Sequence, residues 1–171
     1  YVYDENLNKI WGGEYKMPYT EAIMDNCGYT VSDDGKAYLL AKVFDNDERK
    51  AKTKDGVAGY HFEIFVYDKD QKGGKPIVIN LDSYFSQDAF VYEDINHNIL
   101  ISGFYSRKPG GTNEGVYMVK LDVATSTISK VNGGFYEIPS ELIRAFSSAK
   151  EQKKLDAFID KYREMTNRIH E

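Results

Sequence analysis

Short runs of apolar and aromatic residues, bounded by polar turns, extend along most of the chain, and runs of this length and composition are typical of β-strands. The clearest are Ala37–Phe44 and Ile99–Tyr105. Turns rich in Asp, Asn and Gly precede them, at 33–35 and 96–98. Such residues tolerate the positive φ of two-residue hairpins. The pattern therefore predicts antiparallel strands joined by tight turns.

A motif of the form Gly-Gly-x-Tyr-x-(Met/Ile)-Pro occurs at 12–18 and again at 133–139. Between the two copies, the order of strand, acidic turn, strand, long polar loop and two further strands occurs twice. This self-similarity predicts tandem four-stranded antiparallel sheets in a mainly β chain. Half a unit lies at 1–18, and complete units lie at 27–85 and 89–139.

Tandem units with an Asp34-Gly35 turn after a first strand and a Tyr67-Asp68 pair at the end of a third resemble the blades of uncharacterised bacterial cell-envelope β-propellers. The resemblance covers residues 1–139, carries over no functional residues, and implies a periplasmic, cell-surface or secreted location. Closed propellers have about four or more blades. We therefore expect missing blades of the same polypeptide, or sister chains, to complete a ring. A two-sheet β-sandwich is the alternative.

The apolar period changes to that of a helix in the C-terminal segment, 140–171. Ser140 is expected to cap a short helix carrying Leu142, Ile143 and Phe146. A capping box at 148–151 begins a second, amphipathic helix, whose apolar stripe comprises Leu155, Phe158, Ile159, Tyr162, Met165 and Ile169. The segment either leads to a further blade, which would make this chain a fragment of a larger protein, or caps an open sheet edge.

Composition narrows the function classes. The 14 Tyr and 9 Phe favour β-structure, and the net charge of −5 argues against a nucleic-acid partner, which would need a basic patch. No apolar run approaches the length of a membrane span. Cys27 is the single cysteine, which excludes an intrachain disulfide and a cysteine-based zinc site; a buried, inert thiol is expected.

No catalytic motif is recognisable, and we expect no cofactor and no metal site. The histidines His61, His97 and His170 do not form a ligand set. The segment 94–98 alternates oxygen ligands as calcium loops do, but it lacks the Gly and distal Glu of an EF-hand, so a hairpin turn is expected instead. Asp33 and its neighbour Asp34 are likewise expected in a solvated turn.

Each of the two complete units has one long polar loop after its second strand. Both loops are expected on one face, where binding residues often lie. Their candidate ligand-binding residues are Asp45, Asp47, Arg49, Arg107, Lys108 and Asn113. Tyr15 and Tyr136, equivalent in the motif, are either stacking platforms for sugar rings or packing residues of the repeat. We predict a non-enzymatic binding or scaffold module with a protein or carbohydrate partner. The alternatives are a polysaccharide-active propeller enzyme and a carbohydrate-binding module.

Overall fold

The computed structural model describes residues 1–70, 75–146, 148–150 and 152–153. The described chain is mainly β, as predicted, and its sheets are antiparallel. The chain divides into two compact units, Tyr1–Tyr136 and Glu137–Glu171. In the part that the structure describes, no helix is long and apolar enough to cross a membrane.

The strands of the first unit form one hairpin and two larger sheets. The N-terminal hairpin pairs β1 (Val2–Tyr3) with β2 (Lys9–Trp11). Sheet I is a meander of β3 (Met24–Val31), β4 (Ala37–Phe44), β5 (Tyr60–Tyr67) and β6 (Ile77–Ile79). Sheet II comprises β7 (Phe85–Ser86), β8 (Phe90–Glu93), β9 (Ile99–Ser106), β10 (Gly115–Asp122) and β11 (Thr127–Glu137). None of these described sheets closes on itself.

Two details of the strands differ from the sequence pattern. The strand β3 begins at Met24, before the half-buried Cys27. A bulge between Asn26 and Gly28 takes up one extra residue, so the pairing of β3 with β4 continues on both sides of it. The connector between the sheets forms an additional short strand, β7, which pairs with the end of β9 that β8 does not reach. Burial raises the pKa of the Cys27 thiol, in keeping with an inert cysteine.

The hairpin turns are one residue longer than the predicted two-residue type. In sheet I the Ser32 amide donates to Lys36 O (2.9 Å), which leaves three loop residues, the last being Gly35 at φ 80°. In sheet II the Asp94 amide donates to Asn98 O (2.9 Å), and His97 has φ 60°. A type I turn followed by a left-handed residue has this form.

A single core fills the space between the two sheets. Strand residues alternate between faces, so one face of each sheet points into this core. Its fully buried side chains include Leu40, Ile64, Ile101, Tyr117 and Val119. The strand β4 is also buried on its other face, where Leu39, Ala41 and Val43 pack with Phe65. Burial on both faces explains why β4 is apolar almost throughout.

The C-terminal unit begins with a helix, α1 (Ser140–Phe146), as the change of period predicts. The Gln152 amide donates to Ser148 O (2.9 Å), which is the first bond of a turn at the predicted capping box. The apolar stripe from Leu155 to Ile169 lies outside the described residues.

Candidate functional site: an aromatic cleft

The chain that leaves the N-terminal hairpin runs along the outer face of sheet I, the face that points away from sheet II. Trp11 anchors the hairpin, because its indole Nε1 donates to Gly35 O (2.8 Å). The Tyr15 ring packs on the Tyr67 ring at 4.7 Å between centroids, tilted by 45°. The Tyr67 hydroxyl donates to Met17 Sδ (3.1 Å). The first copy of the motif is therefore fixed to the sheet by its aromatic and thioether groups.

A cleft of about 340 Å³ opens between the hairpin and sheet I. The pairing of Tyr29 with Leu39, and of Ala37 with both Val31 and Tyr67, puts these side chains on one face, where they form the floor. The aromatic lining residues are Tyr1, Trp11, Tyr15, Tyr29, Tyr38 and Tyr67. Tyr29 is 67% exposed, so its ring is available to a ligand. We call this site the aromatic cleft.

The polar groups that line the aromatic cleft are uncharged: tyrosine phenols, the Thr30 hydroxyl, the Trp11 indole N–H and backbone groups. Burial raises the pKa of the Tyr67 phenol, and the neighbouring phenols of Tyr29 and Tyr15 raise it further. The hydroxyl of Tyr67 is therefore neutral at physiological pH, and since its proton is donated to Met17 Sδ, its oxygen can accept a hydrogen bond from a ligand. The described lining contains no Asp, Glu, Lys, Arg or His side chain. The arrangement suits a neutral ligand with a flat apolar face and hydroxyl groups.

A buried carboxylate fastens the same chain segment further along the sheet. Glu63 is 3% exposed, and its Oε1 accepts from the Tyr19 hydroxyl (2.8 Å) and lies 2.9 Å from His61 Nε2. Its Oε2 is buried without a hydrogen-bond partner in the described structure. Burial, followed by the hydrogen bond to Glu63, raises the pKa of Tyr19. His61 also borders a second cavity of about 260 Å³, which Glu63 does not line.

The predicted binding residues of the first long loop lie at the surface. Asp45 and Asp47 are exposed. Arg49 forms an ion pair with Asp25 of β3, and its guanidinium lies 4.6 Å from the centre of the Phe44 ring. The Arg49 charge is thus already paired within sheet I, and its side chain covers an aromatic ring of the same sheet.

The residues of the second long loop are also engaged locally. Arg107 forms an ion pair with Glu114 of the same loop. The backbone carbonyl of Lys108 accepts from the Ser106 hydroxyl (2.7 Å) and from the Gly111 amide (2.9 Å). Asn113 is exposed. These bonds define the shape of the loop and do not bring the six predicted residues together at a single point.

The two motif copies place different aromatic residues on their sheets. In the second copy, Phe135 packs on Tyr84 (4.3 Å) and Tyr105 (5.3 Å), while Tyr136 is 42% exposed and its hydroxyl donates to Val131 O (2.9 Å). The backbone differs as well, because residues 132–134 all have positive φ only in this copy. Tyr15 therefore lies in the aromatic cleft, whereas Tyr136 lines neither of the two cavities described here in residues 1–70 and 75–146.

Sequence reasoning found Tyr15 but missed the other aromatic rings of the cleft. Tyr29 and Tyr67 belong to different strands, and only the strand register puts them on one face. The signal available in the sequence was their position on strands whose alternate residues are apolar on that face. Searches of family models, curated proteins and solved structures find no match to this chain.

Proposed function

We propose that the chain is a non-enzymatic binding module that holds a carbohydrate in the aromatic cleft. The observation that carries the proposal is the convergence of Trp11, Tyr15 and Tyr29 in one open cleft without charged side chains in its described lining. A sugar ring has an apolar face of C–H groups and a rim of hydroxyls. Tyrosine matches both, because it offers an apolar ring and a polar hydroxyl.

The lining favours binding over cleavage. Enzymatic hydrolysis of a glycosidic bond generally uses two carboxyl groups about 5–9.5 Å apart on either side of that bond. The part of the cleft that the structure describes is lined by aromatic, aliphatic and small residues. A polysaccharide-active enzyme would have to bring its carboxylates from elsewhere, such as further blades.

We retain a propeller as the architecture in which the module works, with a periplasmic, cell-surface or secreted location. Two observations support the propeller architecture. Both larger sheets contain a four-strand meander, β3–β6 in sheet I and β8–β11 in sheet II. The first strands of the two meanders, β3 and β8, lie side by side, with Gly28 against Val91. Adjacent blades of a propeller meet in this way around a central axis.

Trp11 gives a direct test, because it is the single tryptophan and lies in the cleft. Titration of the chain with a panel of neutral oligosaccharides should produce a saturable change in Trp11 fluorescence for at least one of them. The substitution Tyr29→Ala removes an exposed ring of the floor and should weaken that binding at least tenfold. Isothermal titration calorimetry on the same pair of proteins would confirm the affinities.

Phe104→Ala is the matched control, because Phe104 is an exposed aromatic residue of sheet II outside the cleft. It should leave sugar binding unchanged. Equal losses in both variants, or no fluorescence response to any neutral glycan, would contradict the proposal.

A further inference from the structure

The first hairpin turns of the two sheets meet at one end of the described structure. The turn between β3 and β4 presents Asp33. Glu93 ends β8, and the turn between β8 and β9 presents His97. The Asp33 amide donates to Glu93 Oε2 (3.0 Å), which joins the two turns directly. Glu93 is the anchored member, since its side chain is 14% exposed, against 79% for Asp33 and 64% for His97.

One donor atom from each of these three side chains lies within 4.8 Å of the other two. His97 Nδ1 is 3.5 Å from Asp33 Oδ2 and 3.3 Å from Glu93 Oε1. Both separations exceed the usual range of N–H···O hydrogen bonds, which is about 2.7–3.2 Å. They agree with the edge of a tetrahedron of ligands at about 2.1 Å from a zinc ion, which is about 3.4 Å.

The turn itself does not explain the histidine. The turn 4–8 of the N-terminal hairpin is built in the same way as 94–98, because Asp4 and Asp94 each accept from the amides two and four residues further along. The residue with positive φ is Leu7 (64°) in the first and His97 (60°) in the second. An aliphatic side chain thus occupies the position of His97 in a turn of the same construction.

We propose that Asp33, Glu93 and His97 bind one divalent transition-metal ion, with Zn²⁺ preferred, and that the ion links the two sheets. Zinc accepts imidazole nitrogen together with carboxylate oxygen, and three protein ligands leave a fourth position for water. Calcium and magnesium favour ligand sets made of oxygen alone. The charge of the ion also balances two carboxylates that face each other. This site is independent of the aromatic cleft and of its proposed ligand.

Isothermal titration of the full chain with ZnCl₂, after removal of metal with a chelator, tests the proposal. The wild-type chain should bind one Zn²⁺, and CaCl₂ or MgCl₂ should bind at least tenfold more weakly. His97→Leu copies the residue of the twin turn and is therefore expected to fold. It should weaken zinc binding at least tenfold, as should Asp33→Asn. Zinc should raise the midpoint of thermal unfolding in the wild type and not in His97→Leu, because a ligand stabilises only the state that binds it.

His61→Gln is the control, since His61 lies next to a different carboxylate. It should bind zinc as the wild type does. Undiminished binding in His97→Leu, loss of binding in His61→Gln, or no zinc binding at millimolar concentration would each overturn the proposal. Calcium binding as tight as zinc binding would overturn the assignment of the ion.

Discussion

Sheets I and II contain the same four-strand meander and share one core, yet their outer faces differ. The outer face of sheet I is covered by the segment after the N-terminal hairpin, and Phe65 there is 3% exposed. The outer face of sheet II presents Phe90 (57% exposed) and Phe104 (45% exposed). An aromatic strand position therefore becomes core, cleft or surface according to the segment that covers it. The aromatic cleft exists because the hairpin covers its sheet only in part.

The largest effect that we predict comes from truncating a phenylalanine on each outer face. Phe65→Ala should lower the free energy of unfolding by about 3–5 kcal/mol, because it leaves a cavity under the covering segment. Phe104→Ala should cost about 1 kcal/mol or less, because its ring is already in contact with water. Urea unfolding of both variants measures the difference. A loss for Phe104→Ala as large as that for Phe65→Ala would show that the outer face of sheet II is covered in solution.

The inner faces supply a second contrast, between two buried tyrosines. Tyr60 of sheet I donates to Ser86 O (2.7 Å), whereas the hydroxyl of Tyr117 in sheet II is buried without a partner in the described structure. Burial raises the pKa of the Tyr117 phenol to about 12. The nearby Ser86 hydroxyl lowers this pKa by a smaller amount, and the geometry of the two hydroxyls is not that of a hydrogen bond. The neutral phenol is thus the form that the folded state favours.

Tyr117 should therefore make the fold sensitive to alkali. Because its pKa is higher in the folded state, its contribution to stability is complete below about pH 10 and is lost as the pH rises through about 12. Two pKa units correspond to about 3 kcal/mol. Tyr117→Phe should remove this part of the alkaline loss, and at neutral pH it should stabilise the fold by about 1 kcal/mol by removing an unpaired hydroxyl.

Unfolding free energies measured from neutral pH to pH 12 test this expectation, with Tyr60→Phe as the control. Tyr60→Phe deletes a hydrogen bond that is formed, so it should cost about 1 kcal/mol at neutral pH. If Tyr117→Phe destabilises the protein at neutral pH as much as Tyr60→Phe does, the hydroxyl of Tyr117 has a partner in solution.

Much of the fold could be predicted from the sequence, because strand periodicity and turn residues are local signals. The runs at 37–44 and 99–105, their turns and the helix after Pro139 needed no knowledge of tertiary contacts. The additional strand β7 could not be predicted, since its existence depends on how much of β9 its neighbour β8 leaves unpaired. The bulge before Gly28 could not be predicted either, because it depends on how β3 pairs with β4.

The candidate sites were harder to predict because they depend on register and on the contact between sheets. Asp33 and Glu93 are 60 residues apart and meet only when β3 and β8 lie side by side. Tyr29 and Tyr67 share a face only through the pairing of both strands with β4. The charged residues of the long loops looked like binding residues in sequence, but Arg49 is paired with a carboxylate of a neighbouring strand.

A third contrast, which includes the substitution with the smallest predicted effect, compares two tyrosines, one just after the first motif copy and one within the second. The Tyr19 hydroxyl donates to the buried carboxylate of Glu63, so Tyr19→Phe should cost about 1.5–3 kcal/mol, the range of hydrogen bonds to charged groups. Tyr136 donates to an exposed carbonyl, so Tyr136→Phe should change the free energy of unfolding by about 0.5 kcal/mol or less. Chemical denaturation at neutral pH distinguishes the two. Equal losses would mean that the two motif copies secure their segments equally well, and a neutral Tyr19→Phe would mean that water satisfies the Glu63 carboxylate.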